Sequence, residues 1–257
     1  MKNTNPLQGA NPVTGMKYRL EPIVDLLTGD VVGQELLAGD IACPTWSEAE
    51  WREWYAFLAE EIPLLLPDLH LCRGQPGLLF LNLDGHQLLD WHIAGSIRSL
   101  RDHARRIVIE WTEQHFHDEK LVDVLAKLNF LKGLGFSIAI DDIGAGVGVD
   151  GLGRAGAVKA GFCKIDGPYF QTIRDKGPDY LRGLCQHLSH GGARVVVEWV
   201  ETEADYRLAL AAGAHLGQGW FWTNSGPADG VSPADGVGLQ PAGLPCAIVD
   251  EEKGAEG

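Results

Sequence analysis

Short runs of apolar residues recur along the chain, and stretches with helical spacing separate most of them. The strand-type runs are Tyr18–Leu27, Val31–Leu37, Leu78–Leu83, Arg106–Glu110, Phe136–Asp142, Phe162–Asp166, Arg194–Glu198 and Leu216–Phe221. Several are continuously apolar, the pattern of strands buried on both faces. Helix-type segments cover Ser47–Leu65, Asp118–Leu134, Pro178–Ser189 and Thr202–Ala212. Ser47 with Glu50 three residues on is a start signal, and Gly135, Gly191 and Gly213 are stop signals. Thr28-Gly29-Asp30 joins the first two strand-type runs as a hairpin. Strands with mostly helical crossovers predict an α/β fold, a (β/α)8 barrel of the triosephosphate isomerase type. The hairpin makes one strand antiparallel to the rest. An open doubly wound sheet is the alternative, disfavoured because no GxGxxG follows the first strand.

The expected organisation is a flexible lead-in over 1–15, a barrel domain over 16–222 and a tail over 223–257. The tail is rich in Gly, Pro, Ala and acid and reads as poorly ordered, with Cys246-Ala247-Ile248-Val249 as a short run able to dock. Composition adds exclusions. Of 257 residues, 45% are hydrophobic, enough for a core, which excludes global disorder. The formal net charge is -14, so no broad basic surface is available for duplex nucleic acid or anionic lipid. A phosphate compound remains open to it if cations bridge the two. The five cysteines form no CxxC pair, which argues against a zinc ribbon and a disulfide framework. With no signal-peptide pattern and no apolar run long enough to span a bilayer, the chain is expected to be cytoplasmic.

The acids and amides fall at the C-terminal ends of the predicted strands, one strand after another. Glu35, Asn82, Glu110, Asp141-Asp142, Lys164 with Asp166, Glu198 with Glu201 nearby, and Gln218 follow in order. In a barrel these ends converge on the face where active sites lie. A lone acid at a strand end is usually a helix cap or a salt-bridge partner. So many acids at one mouth repel one another unless cations are bound. A carboxylate and amide set suits Mg²⁺ or Mn²⁺. A shared aspartate fits a two-metal site acting on a phosphodiester, and a lysine among the acids can orient water or stabilise the transition state. Asp84 and Asp90 read as solvated helix-start residues. His86, His115 and His117 read as surface or capping groups, and Trp46, Trp51 and Trp54 as helix-face packing.

Those residues carry a family resemblance. Gly33-Gln34-Glu35-Leu36-Leu37 resembles G-x-E-A-L, and Leu81-Asn82-Leu83 resembles N-L-S. Glu110-Trp111-Thr112-Glu113 resembles E-x-T-E, and Asp141-Asp142-Ile143-Gly144-Ala145-Gly146 resembles D-D-F-G-T-G. Lys164-Ile165-Asp166 is K-I-D, Glu198-Trp199-Val200-Glu201-Thr202 resembles E-G-V-E-T, and Gln218-Gly219-Trp220 resembles Q-G-Y. Taken in order, residues 18–222 resemble the EAL domain, the bacterial phosphodiesterase of cyclic di-GMP. The resemblance implies a barrel with one antiparallel strand and two Mg²⁺ or Mn²⁺ ions. It implies that Glu35, Asn82, Glu110 and Asp141 hold the first ion. Asp141 bridges to the second, beside Asp142 and Glu198. Lys164 sits by the attacking water, with Glu35 and Glu198 grouped with it as catalytic. Glu113 steadies the loop after the Phe136–Asp142 strand, and Asp166, Glu201, Gln218 and Leu37 support the site or the substrate. The implied reaction opens cyclic di-GMP to the linear dinucleotide pGpG, and a homodimer is expected.

Four departures stand out. Leu36 replaces Ala. Gly39 stands where the family has an Arg that contacts a substrate phosphate. Trp199 replaces a Gly beside the metal residues. Val147-Gly148-Val149-Asp150-Gly151 replaces an aromatic and serine loop. The last three support a second reading, a non-catalytic module that binds cyclic di-GMP or a protein partner. A third is a different phosphoryl or enolate chemistry at the same kind of two-metal mouth.

Overall fold

The protein is described from a computed structural model over residues 9–10, 17–39, 46–69, 76–112, 120–145 and 150–223. The strands are β1 Gly9–Ala10, β2 Lys17–Asp25, β3 Val31–Ala38, β4 Leu78–Leu83, β5 Ile107–Trp111, β6 Ser137–Ile143, β7 Phe162–Ile165, β8 Arg194–Val197 and β9 Leu216–Gly217. They hydrogen-bond in sequence order, and a β2–β9 pairing closes β2–β9 into a barrel. Pairings from β3 to β9 are parallel, whereas β2 runs antiparallel to both β3 and β9. The expected barrel with one reversed strand is therefore present. β1 pairs with Tyr18 and Lys17, so part of the expected lead-in is strand.

Two apolar layers result from strand alternation. Ile23, Phe80, Val108, Ala139, Phe162, Val196 and Leu216 point inward and plug the lower barrel. The Phe80 and Phe162 rings meet edge to face at 5.1 Å. Ile107, Ile109 and Trp111 point outward among helix residues. This accounts for the continuous run IVIEW in β5, where every residue is buried.

The helices are α1 Glu48–Leu65, α2 Gly85–Leu89, α3 Trp91–Ser99, α4 Leu121–Gly133, α5 Asp150–Val158, α6 Gly167–Arg174, α7 Pro178–His190, α8 Glu203–Ala211 and α9 Trp220–Thr223. Ser47 and Glu50 form the expected capping box on α1, with Ser47 N–H donating to Glu50 Oε2 at 2.7 Å. Trp46 packs on Trp51 and Trp54, as the helix-face reading requires.

Several expectations are corrected. The first strand stops at Asp25, because Asp25 Oδ1 accepts from Leu27 N–H (3.0 Å) and Thr28 N–H (3.1 Å) and turns the chain. The last strand ends at Gly217 and gives way to α9, not to strand as far as Phe221. At the break, Gly219 has φ 148°, and a Cβ there would lie 2.5 Å from Val200 O. Asp84 and Asp90 do cap α2 and α3. Asp84 is buried, not solvated, because its capping box turns inward with Gln87. Short helices α2, α3, α5 and α6 lacked a long enough periodic pattern to be read from sequence. The lead-in apart from β1, Glu113, His115, His117, residues 147–149 of the altered loop, and the tail beyond Thr223 with its 246–249 run lie outside the described residues, and Asp150-Gly151 of that loop open α5. No helix among the described residues is long and apolar enough to cross a membrane.

Candidate active site

The parallel strands deliver their polar residues to one end of the barrel, above the apolar plug. Alternation decides which residues reach it. Val108 lies in the plug and Glu110, two residues on, faces the same interior one layer higher. β4 and β5 pair Asn82 with Glu110, so amide and acid arrive at the same level.

Lys164 stands at the centre and is almost wholly buried, with 1% of its side chain exposed. Its Nζ lies 2.7 Å from Glu198 Oε1, 3.1 Å from Glu35 Oε2, 3.2 Å from Asp141 Oδ1 and 3.3 Å from Glu110 Oε2. Glu35 is further fixed by two amides. Asn82 Nδ2 donates to Glu35 Oε1 (2.7 Å) and Gln218 Nε2 donates to Glu35 Oε2 (2.6 Å). Those two donors arrive from opposite sides of β2 and β3, which only barrel closure permits.

The charges perturb one another. Burial drives the Lys164 pKa down, but Asp141, Glu110, Glu198 and Glu35 outweigh it and hold the ammonium well above its ordinary range. Burial also raises carboxylates. In Glu35 it is overcome by Lys164 and the donors Gln218 and Asn82, so its pKa is lowered. Glu110 is driven well above the usual range by burial and then by Glu35. Asp141 is raised, mainly by burial. Asp142 is pushed up to about 7 by burial and Asp141. Glu198 is pushed up to about 8, with burial the largest cause.

The donor set fits a divalent cation. Among the described residues, Asn82 Oδ1, Glu110 Oε1 and Gln218 Oε1 are buried acceptor oxygens without a hydrogen-bond donor. Such oxygens are costly unless a cation or donor meets them. Asp141, Asp142 and Glu198 each present a carboxylate oxygen, and these lie within 4.8 Å of one another. Asp141 also faces the Lys164 ammonium, at 3.2 Å, and so links this trio to the other acids. Oxygen-only ligands of this kind suit hard cations.

Other residues singled out from the sequence take other places. Asp166 caps α6, accepting from Tyr169 N–H at 2.8 Å, and so fixes the backbone just after Lys164. Glu201 is exposed, and its backbone N–H donates to Asp205 Oδ2 at 3.3 Å. Leu37 is half-buried beside the mouth, opposite Arg19 of β2. Arg154 was missed. It is buried on α5 and donates to Trp111 O (3.1 Å) and Asp141 O (3.2 Å), with its guanidinium 5.2 Å from the Trp111 ring centre. It clamps the ends of β5 and β6 together. Its only sequence signal was a basic residue in an otherwise small-residue helix. Trp199 has φ 52° and is half exposed; its ring lies against Gly167, where a Cβ would meet it at 2.1 Å.

The fold and this mouth define an α/β barrel with an acidic, lysine-centred, cation-type site at the C-terminal ends of its strands. The family model described as EAL domain matches residues 58–225, and the chain belongs to that family. Glu35 lies before the matched span. No curated protein matches the chain. Among solved structures it is similar to the PaMucR phosphodiesterase in complex with c-di-GMP, at 22% identity and TM-score 0.63 over 80% of this chain and 89% of that one. It is also similar to a standalone EAL protein from Vibrio cholerae O395 in its c-di-GMP-bound form, at 21% identity and TM-score 0.63 over 79% and 89%. A third is the EAL enzyme Bd1971 in its cAMP- and cyclic-di-GMP-bound form, at 20% identity and TM-score 0.65; the match covers 80% of this chain and 61% of that one. At these identities the likeness speaks for the fold.

Proposed function

We propose that the chain is a metal-dependent phosphodiesterase that opens cyclic di-GMP to the linear dinucleotide pGpG, with residues 16–222 as the working unit. The observation that carries this is the buried Lys164 ammonium enclosed by Glu35, Glu110, Asp141 and Glu198, beside buried oxygens that lack donors. Family membership and the cyclic di-GMP complexes of similar structures supply the substrate class.

Glu35, Asn82, Glu110 and Asp141 would hold one Mg²⁺ or Mn²⁺; Asp141, Asp142 and Glu198 would hold a second. Bound there, the two ions supply a water of lowered pKa and neutralise the diester. The protein's own part is positional and electrostatic. Asn82 and Gln218 fix both oxygens of Glu35. Lys164 stays protonated and donates to the oxygen that gains charge in the transition state. The Arg154 clamp and the Asp166 cap hold the strand ends in register.

The test is incubation of the purified protein with cyclic di-GMP and Mn²⁺, with chromatography of the nucleotides. Linear dinucleotide that disappears with chelator, and is lost in Glu35→Ala and Lys164→Ala, is the expected result. Retained turnover in both variants overturns the site assignment. A second reading, a non-hydrolysing module that binds cyclic di-GMP or a protein partner, draws on Gly39 and on Trp199 half exposed beside Glu198. Tight nucleotide binding without product at any Mg²⁺ or Mn²⁺ level would select it. We further propose a cytoplasmic location and a homodimer; sedimentation of the purified chain tests the dimer, and cell fractionation tests the location.

A further inference from the structure

A phosphodiester entering this mouth meets mainly carboxylates, so a further side-chain cation with spare N–H donors would help to hold it. Lys164 is enclosed by four acids, and the Arg154 guanidinium is committed to two backbone carbonyls. The register of the reversed strand brings in a third. β2 pairs Glu21 with Glu35 and Arg19 with Leu37. Paired residues in a sheet share a face, and alternate residues of one strand do too. Glu35 faces the lysine and Ile23 lies in the inner plug, so Ile23, Glu21 and Arg19 climb the inner wall toward the mouth. Because β2 is antiparallel, its N-terminal end is the one at the mouth. Leu36 pairs with Leu81, which places Leu37, and Arg19 opposite it, level with Asn82.

The Arg19 side chain is 30% exposed and held in place. Its Nε donates to Glu21 Oε1 at 3.2 Å and its Nη1 to Gly39 O at 2.7 Å. A guanidinium carries five N–H donors in a planar fork. Two of the five are used, and three have no acceptor among the described residues. The fork matches two oxygens of a phosphate. Gly39 itself has φ 52°, a left-handed backbone that favours glycine. An arginine at position 39 would be strained, and the carbonyl of that residue instead anchors an arginine from the neighbouring strand.

We propose that Arg19 is the phosphate-binding cation of this site, reaching from β2 to an anionic oxygen of the dinucleotide that the metal residues do not meet. The proposal rests on the phosphodiesterase or cyclic di-GMP-binding reading and names its missing anion contact. A charge-assisted hydrogen bond of this kind corresponds to roughly 10- to 150-fold in affinity.

The experiment compares wild type, Arg19→Ala, Arg19→Met and Arg19→Lys, each metal-loaded, in cyclic di-GMP binding and in kcat and KM. Expected are a 10- to 150-fold rise in Kd or KM for Arg19→Ala and Arg19→Met, an intermediate rise for Arg19→Lys, and little change in kcat. Added guanidinium ion restores part of the loss in Arg19→Ala and not in Arg19→Lys, which lost packing would not produce. Kd and KM within twofold of wild type in the folded variants overturn the proposal while leaving the phosphodiesterase reading intact. If Arg19→Ala does not fold, Arg19→Met and Arg19→Lys carry the same comparison. A wild-type protein that neither binds nor hydrolyses cyclic di-GMP removes both readings, and that result is distinct from an unaffected variant.

Discussion

Metal binding at this mouth must displace protons, and the number follows from the structure. Without metal, Glu198 titrates at about 8 and Asp142 at about 7. Both must ionise to ligate a cation. At pH 7, Glu198 is about nine-tenths protonated and Asp142 about half, so saturation with Mg²⁺ or Mn²⁺ releases about 1.4 protons. The count rises to about 1.9 at pH 6 and falls to about 0.6 at pH 8. It belongs to the cluster rather than to either residue. Any proton that Glu110 gives up adds to it, since burial and Glu35 hold that acid well above its ordinary range. Integrated from pH 6 to pH 8, the two groups strengthen metal binding about 500-fold, or about 4 kcal/mol.

Calorimetric titration with Mn²⁺ in two buffers of different ionisation enthalpy counts these protons directly. Glu198→Gln removes one of these acids and should lower the release at pH 7. Equal heats in both buffers at pH 6 and 7, with metal bound, would refute the electrostatics described for the cluster. The stability of the metal-free fold responds to pH in the opposite sense to metal binding. Carboxylates raised in the folded state contribute stability that is full below their ordinary pKa and lost as pH rises through the folded value. The chelated protein should therefore melt lower from pH 5 to pH 8, and saturating Mn²⁺ should reverse that trend.

Lys164→Met leaves four carboxylates without their shared cation and should cost the metal-free protein ~3–5 kcal/mol by chemical denaturation. The loss should shrink when Mn²⁺ saturates the site; an equal loss in both states would contradict the shared-cation account. Gly167→Ala drives a methyl into the Trp199 ring and should lower the melting temperature, whereas Gly167→Ala with Trp199→Gly should recover most of it. Additive losses would show that the two positions do not touch. Phe80→Ala, emptying the plug against Phe162, should cost ~3–5 kcal/mol. A cost under ~1 kcal/mol would mean the lower barrel refills the space.

What was legible in the sequence was whatever a single strand encodes by itself. The run IVIEW in β5 shows a strand buried on both faces, and Glu110 near its C-terminal end marks the mouth. The same logic exposed Asn82, Asp141, Lys164 and Glu198. Even the Gly of GQELL has a local reason, since a Cβ on Gly33 would lie 2.8 Å from Leu78 O on the neighbouring strand. What was hidden depends on pairs that sequence spacing does not connect. Gln218 reaches Glu35 only because β9 closes on β2. Arg154 reaches the end of β6 from a helix too short and too poor in large apolar residues to show a period. Arg19 belongs to none of the motifs in the sequence. Its place at the mouth follows from the reversal of β2, which turns the beginning of that strand toward the end where every parallel strand finishes. The hairpin at Thr28-Gly29-Asp30 thus does more than start the sheet. By reversing one strand it sets a basic residue at an acidic rim, where a parallel first strand would have placed Asp25 and the residues after it.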